Sequence, residues 1–522
     1  MSPVPLRILA INDFHGNIQT ENPSPGRLPL LVDGKEEMVE TGGAAFLAAH
    51  IARERAGHAN SILVSAGDLT GASPLVSALL RDQPTIEVMN QIGLDLNAVG
   101  NHEFDHGMDE LRRKMEGDGE FGGADFDYLA ANVVSPTALI QPFGATAIRE
   151  FDGARVGFIG VVTEETPTIV SAKGIKGLVF SDPLDVLNNQ AAVLRKMGVE
   201  AIVAVLHEGA AAPAGIAQDG APCEGMSGAL VDIVKGADPA IDLFISGHTH
   251  QAYACRLDGR LVTQTASYGR MLSVIDLTLK DGDVVAAAVR NQPVTRDLAP
   301  DPGIAALVAR AEAATEQIRA EPVADLPGQV TRAPDASGES ALGDLIADAQ
   351  LASARLLGAS IAFMNPGGIR QDLPSNPGKT DVSLGDLFAV QPFGNNLVAM
   401  DLSGAEIKAL LEQQWIDQPA DRRPRILQVS AGFSYCYDAR RADGDKILAQ
   451  SLRLDGKLIV PEETYRIVVN SFLADGGDRF TVLRNGRNRV QGDNDLDALR
   501  TYISARSGSL ALQSQGRICR KE

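Results

Sequence analysis

The chain is patterned as short, largely apolar runs that end in polar or glycine-rich turns, interleaved with longer amphipathic stretches. Runs at residues 6–11, 61–66, 96–99, 155–162, 201–206 and 241–246 contain β-branched members and predict buried strands. Stretches at 42–56, 84–92, 183–197 and 341–357 predict helices, the first of them Ala-rich. Strands at 261–265 and 271–279 close a first domain, residues 1–300. Asp301-Pro302 then offers a capping carboxylate and a proline at the first helical position, so a helix is expected over 303–320 until Pro322 stops it. Residues 301–322 are read as a linker helix because composition and motif density change on either side of it. Residues 323–522 form a second domain with strands at 329–331, 361–364 and 465–469. Strands alternating with helices predict an α/β class.

The turns at the strand ends carry the chemistry. The first strand ends in Asn12-Asp13-Phe14-His15-Gly16, the second in Gly67-Asp68-Leu69-Thr70, and the third in Gly100-Asn101-His102-Glu103-Phe104-Asp105. Later strands end in His207-Glu208-Gly209 and Gly247-His248-Thr249-His250. Of the eight histidines, five (His15, His102, His207, His248 and His250) directly follow a predicted strand, where open α/β sheets place ligands. Each motif alone reads better as a helix cap or a surface histidine than as a ligand; His50 and His58 read as ordinary surface or boundary residues, and His106 has no clear partner. Together, Asp13, His15, Asp68, Asn101, His207, His248 and His250 offer nitrogen and oxygen donors without a thiolate, a set suited to zinc or manganese. Seven donors exceed the needs of one ion. A bridging carboxylate lets two ions sit about 3.5–4 Å apart, the arrangement used for in-line displacement at phosphorus.

In the second domain, Asn365-Pro366-Gly367-Gly368-Ile369-Arg370, Gln391-Pro392-Phe393-Gly394-Asn395-Asn396 and the stretch from Asn470 to Asp478 that holds Phe472 are glycine-containing turns with an aromatic, amide or charged residue. They suit a flat polar ring and are also ordinary turn chemistry.

Charge and length narrow the classes. At 522 residues two domains are expected. A net charge of -20 argues against coating nucleic acid or an anionic membrane, and an anionic substrate needs local positive charge such as bound metal. No apolar run reaches transmembrane length, and the polar ending Gly-Arg-Ile-Cys-Arg-Lys-Glu is not a lipid-anchor tail. The opening Met1-Ser2-Pro3-Val4-Pro5 has no targeting segment, so either the protein is cytoplasmic or a signal peptide has been removed. Cys223, Cys255, Cys436 and Cys519 leave three connectivities open. Pairing within each domain, Cys223 with Cys255, is the economical one and goes with a periplasmic or secreted setting.

These motifs, Asp13-x-His15, Gly67-Asp68, Gly100-Asn101-His102-Glu103, His207 and Gly247-His248-x-His250, resemble those of the calcineurin-like metallophosphoesterases. With the C-terminal turns, nearly the whole chain resembles the 5'-nucleotidase family, both the bacterial periplasmic nucleotidase and UDP-sugar hydrolase type and the animal ecto-5'-nucleotidases. The resemblance implies an N-terminal two-sheet metallophosphoesterase domain, a linker helix and a C-terminal α/β nucleotide-binding domain. It implies one divalent ion on Asp13, His15, Asp68 and His250, and a second on Asp68, Asn101, His207 and His248. His102, oriented by Asp105, would stabilise charge on the phosphoryl group or leaving oxygen. Phe393 and Phe472 would stack on a nucleobase, with Asn365, Asn395 and Asp478 as polar contacts and Arg370 toward phosphate or ribose. The activity implied is release of phosphate from nucleoside 5'-monophosphates by a metal-activated hydroxide. A 2',3'-cyclic phosphodiesterase and 3'-nucleotidase, or a UDP-sugar hydrolase, is the alternative within this chemistry, and a catalytically silent secreted nucleotide-binding or adhesive protein is the alternative outside it. A nucleotide, not a nucleic-acid polymer, is the expected partner. The chain departs from the family at Gly338-Glu339-Ser340, where arginines are usual and Arg332 is the nearest candidate. It departs again at Pro366 and Arg479, where glycine is usual, and at His250, which is Gln in some relatives.

Overall fold

The structure, a computed structural model, describes residues 2–20, 26–32, 35–137, 141–171, 173–213, 215–376, 378–415 and 424–521. It is mixed α/β and forms two compact units that part between Ala314 and Thr315, inside the helix Pro302–Arg319. That helix starts as its sequence requires, with Asp301 Oδ1 accepting the Ile304 N–H at 2.9 Å.

The first unit is built on two six-stranded sheets. In one, Val4–Ile11 lies between the parallel strand Ser61–Ser65 and the antiparallel strand Met271–Lys280, and Leu96–Ala98 and Asp127–Leu129 continue the parallel side. In the other, Ala201–His207 lies between the parallel strands Ala154–Val162 and Leu243–Ser246, with Arg260–Thr265 next to the latter. The strand side chains alternate between two cores. Leu6, Ile8, Ala10, Ile62 and Val64 share one cluster with Ala201, Val203 and Val205, so these faces of the two sheets pack on each other. Leu9, Ile11 and Leu63 point the other way, into a cluster with helix residues Leu47, Ile51, Ile86 and Met89. Ile202, Ala204 and Leu206 face Leu187, Leu194 and Leu230. Both strand faces are therefore apolar, which is why the sequence shows continuous runs rather than strict alternation.

The second unit carries a five-stranded sheet in the order Gln428–Val429, Ile361–Met364, Thr464–Asn470, Asn396–Ser403, Arg487–Asn494, and a four-stranded sheet containing Phe433–Asp438 and Ile518–Lys521. Three of its helices start on serine caps: Ser340 accepts from Gly343 N at 3.1 Å, and Ser383 and Ser403 form capping boxes with Asp386 and Glu406. Two disulfides, Cys223–Cys255 and Cys436–Cys519, pair the cysteines as expected, one within each unit.

Two readings of the sequence are corrected. Residues 329–331 form no strand, since Val330 makes a single bridge to Leu373. His50 is buried rather than a surface or boundary residue, its Nε2 2.9 Å from the Thr295 carbonyl, a partner too far along the chain for local pattern to reveal.

The second unit also holds a buried carboxyl pair. Glu339 accepts the N–H groups of Gln515, Arg517 and Ile518, and Asp344 Oδ2 accepts the same Gln515 N–H at 2.9 Å. Burial, with the neighbouring Glu339 adding to it, pushes the Asp344 carboxyl up to about 8, although the Arg517 guanidinium, itself paired with Asp348, opposes the shift. The folded state thus holds a proton that the unfolded chain releases near pH 4, so stability falls as pH rises from about 4 to 8 and levels off above. Wild-type protein should lose roughly 5 °C or more of melting temperature relative to Asp344→Asn between pH 5 and pH 8. Parallel melting curves over that range would refute the proton held on Asp344.

Candidate metal centre

The seven candidate donors converge at the ends of five strands in the first unit. The loop after Val4–Ile11 is strapped to the loop after Ser61–Ser65 by Asp13 N–H to Gly67 O (2.9 Å) and His15 N–H to Asp68 O (2.8 Å). Asp13, His15, Asp68, His248 and His250 all have left-handed backbone, φ between 48° and 73°. Left-handed backbone at non-glycine residues costs of order 1–3 kcal/mol each and persists where surroundings enforce it, commonly at functional sites.

Two groups of ligand atoms result, Asp13 with His15 and His250, and Asp68 with His207 and His248, the atoms of each within 4.8 Å of one another. Asp68 Oδ2 lies 3.1 Å from His207 Nε2 and 3.6 Å from His15 Nε2, so one carboxylate oxygen reaches both groups. Asn101 Oδ1 lies 3.1 Å from His207 Nε2. The ring tautomers are set by their other ends. His15 Nδ1 is 2.8 Å from the Gly71 carbonyl and His207 Nδ1 is 2.7 Å from the Ala66 carbonyl, and a carbonyl only accepts, so both Nδ1 atoms carry hydrogen. The lone pair of His15 Nε2 then faces His250 Nε2 at 3.2 Å, and that of His207 Nε2 faces the Asp68 and Asn101 oxygens. Acceptors converging in this way need a proton or a cation between them. Burial alone would lower His207, but the Asp68 and Asp13 carboxylates push it up to about 10. Burial works to raise Asp68, yet the imidazoles of His207, His102 and His15 hold its carboxyl well below the usual range. The residues thus fit divalent cations, whose charge would replace those imidazole protons.

His102 stands beside both groups without belonging to either. Its Nδ1 is 2.9 Å from Asp105 Oδ2, its backbone N–H donates to Asp68 Oδ1 at 2.8 Å, and its ring centroid is 5.1 Å from that of His15.

The bracing roles of three residues escaped the reading of the sequence. Glu103, fully buried, accepts the N–H groups of Gly100 (2.7 Å), Asp68 (3.0 Å), Leu69 (2.7 Å) and Thr70 (3.3 Å), bracing the loop that presents Asp68. Burial and the Asp68 charge push its carboxyl up to about 7. Asn12 donates to Asp13 Oδ2 and accepts the Thr265 N–H, each at 2.7 Å. Gln264 reaches the loop that bears His248 and His250. The only sequence signal for these is adjacency to a motif, and Gln264 lacks even that.

In the second unit, Asn470 Nδ2 donates to Asn365 Oδ1 (3.0 Å), and Asn365 Nδ2 donates to Asp478 Oδ2 (2.7 Å). Asn395 Oδ1 accepts from Ser471 Oγ at 3.0 Å, and the Arg370 guanidinium lies 5.9 Å from the Phe393 ring centre. A Cβ added at Gly477 would lie 2.5 Å from the Phe472 ring, so glycine there makes room for it. The structure therefore links Asn365 to Asp478 and Phe393 to Arg370.

The model of the calcineurin-like phosphoesterases matches residues 6–252, the stretch that holds both groups of candidate donors. Residues 317–485 match the 5'-nucleotidase C-terminal domain, and the chain belongs to the 5'-nucleotidase family. It is 32% identical over 528 residues to an endonuclease of Bacillus subtilis, an alignment covering 99% of this chain and 41% of that protein. It is also 32% identical over 562 residues to a cell wall protein of Listeria monocytogenes, covering 98% of this chain and 69% of that one. The crystal structure of a 5'-nucleotidase precursor from Thermus thermophilus is similar with TM-score 0.81 at 26% identity, over 99% of each chain. This chain thus spans less than half the length of the endonuclease. Members of the calcineurin-like class use divalent metals, and the family supports a phosphohydrolase. Among the described residues, no helix is long and apolar enough to cross a membrane.

Proposed function

We propose that the protein is a 5'-nucleotidase that releases phosphate from nucleoside 5'-monophosphates. The observation that carries this reading is the Asp68 oxygen shared between the two ligand groups, 3.1 Å from His207 and 3.6 Å from His15. Two divalent ions, zinc or manganese by donor chemistry, would be held by Asp13, His15, Asp68 and His250 and by Asp68, Asn101, His207 and His248, and would supply the Lewis acidity that activates water and the phosphoryl group. His102, with its Nδ1 side on Asp105, presents Nε2 to charge that develops on the leaving oxygen. Asp105 orients that ring and stabilises its protonated form. In the second unit, Phe393 and Phe472 supply ring faces for a base, with Asn365, Asn395 and Asp478 at its edge and Arg370 for the phosphate or ribose. Two disulfides favour an exported protein, periplasmic or secreted.

The endonuclease among the relatives supports phosphodiester cleavage as the second reading. Phosphate release from AMP, 2',3'-cyclic AMP and UDP-glucose, each with and without EDTA, separates the readings. AMP is expected to be turned over fastest, with activity abolished by chelator and restored by zinc or manganese. Faster turnover of the cyclic nucleotide or of UDP-glucose would transfer the assignment to the second reading. No turnover of any substrate by the metal-loaded protein would make it a silent binding protein.

A further inference from the structure

The loop Gly247-His248-Thr249-His250-Gln251 is unusual in serving both ligand groups: His248 belongs to the group with Asp68, and His250 to the group with Asp13. Both residues have left-handed backbone, φ 73° and 54°. Such a loop relaxes toward ordinary angles unless held, and relaxation would move the two imidazoles independently. Several hydrogen bonds hold it, among them Gly247 N–H to the Glu208 carbonyl at 3.3 Å and Thr249 N–H to the Gly247 carbonyl at 2.9 Å. His248 N–H donates to the Asp13 carboxylate at 3.0 and 3.1 Å, Thr249 Oγ1 donates to the Ala210 carbonyl at 3.1 Å, and Ala266 N–H donates to the Gln251 carbonyl at 2.8 Å.

One buried side chain spans the rest. Gln264, 1% exposed, projects from the strand Arg260–Thr265, which pairs in parallel with Leu243–Ser246 immediately before the loop. With the amide oriented so that every contact joins a donor to an acceptor, its oxygen accepts the His250 N–H at 2.9 Å and the Gln251 N–H at 3.0 Å. Its nitrogen donates to the Gly247 carbonyl at 3.2 Å and to the Tyr253 hydroxyl at 2.7 Å. The Tyr253 hydroxyl is fixed in turn by Ser246 Oγ at 2.8 Å. Gln264 therefore grips the backbone just before His248 and at His250 itself, from an element of the sheet.

We infer that Gln264 is a positioning residue that sets the separation of the two ion sites. The inference rests on the two-ion reading above. An amide is the side chain that fits, because the loop offers an acceptor at Gly247 and donors at His250 and Gln251, and a hydrogen-bonded span of this kind requires both functions on one group. Gln264 touches neither ion nor substrate and acts only through the histidines.

The test titrates ion-free wild type, Gln264→Met and Gln264→Glu with manganese, by calorimetry for stoichiometry and affinity and by electron paramagnetic resonance for the exchange coupling of a manganese pair. Gln264→Met keeps the volume and removes the hydrogen bonds. It is expected to bind the second ion about 10- to 100-fold more weakly, the range for outer partners of metal ligands, and to lose the coupled-pair signal. The melting temperature of the ion-free protein should stay within a few degrees of wild type, which a merely structural role would not predict. Gln264→Glu keeps the acceptor for His250 and Gln251 but opposes the Gly247 carbonyl, so it should fall between. Wild-type affinity and coupling in Gln264→Met would overturn the inference. If that variant does not fold, unchanged affinity and coupling in Gln264→Glu would overturn it equally. Fewer than two ions in the wild-type protein would overturn the two-ion reading itself, a result distinguishable from failure of the variants.

Discussion

Asp68→Asn is expected to reduce the bound ions from two to at most one and to cut phosphate release by at least about 10³, given that even outer partners of metal ligands are worth roughly 10- to 100-fold in affinity. The substitution conserves volume and removes the charge whose oxygen lies between His15 Nε2 and His207 Nε2. Asp68 is 1% exposed, so no solvent can take over the role. The fold should survive the change. In ion-free wild type, neighbouring imidazoles hold the buried Asp68 carboxyl well below its usual range, and with an amide there His207 can shed its proton, so that no unpaired charge stays buried. His102 N–H can still donate to an amide oxygen, as it now does to Asp68 Oδ1 at 2.8 Å. The measurements are metal content by elemental analysis after saturation and dialysis, and turnover of AMP. A variant that retains two ions at wild-type affinity would show that Asp68 bridges nothing.

The strands and the convergence of the candidate donors were readable because each donor closely follows an apolar run that is buried on both faces. Leu6, Ile8 and Ala10 on one side, with Leu9 and Ile11 on the other, make a signal that ends abruptly at Asn12 and Asp13. The bracing of these donors was not readable. Glu103 looks like an acid in a helical first turn, and its role depends on the N–H groups of a loop 33 to 35 residues earlier. Gln264 sits among residues that end a strand, and nothing local says that its amide meets Gly247 and His250. The same limit applies in the second unit, where Asn365 and Asp478 were read as parallel contacts to a ligand, whereas 113 residues of separation concealed their hydrogen bond to each other. The strand expected at 329–331 failed for a related reason. A lone bridge from Val330 to Leu373 satisfies the backbone without a ladder, and β propensity describes packing surroundings more than backbone preference.

His102→Ala is expected to keep both ions and lose turnover by about 10² to 10⁴, the range for a positioned acid or charge-stabilising group. The side chain can be removed without losing the hydrogen bond to Asp68, because that bond runs through the backbone N–H, which alanine retains; what goes is the ring, with its edge contact to His15. The imidazole is held by Asp105 on one side, Nδ1 to Oδ2 at 2.9 Å, and is only partly exposed. Asp105→Asn should therefore show a weaker form of the same defect, since the ring stays present while the carboxylate that holds its orientation and supports its charge is gone. A substrate with a better leaving group, such as p-nitrophenyl phosphate, should suffer less than AMP in both variants, because stabilising the leaving oxygen matters less when that oxygen carries charge easily. Metal content measured on the same preparations decides the assignment. If His102→Ala loses ions in proportion to its loss of activity, His102 is a ligand, and the division of these residues into seven ligands and one charge-stabilising histidine is wrong.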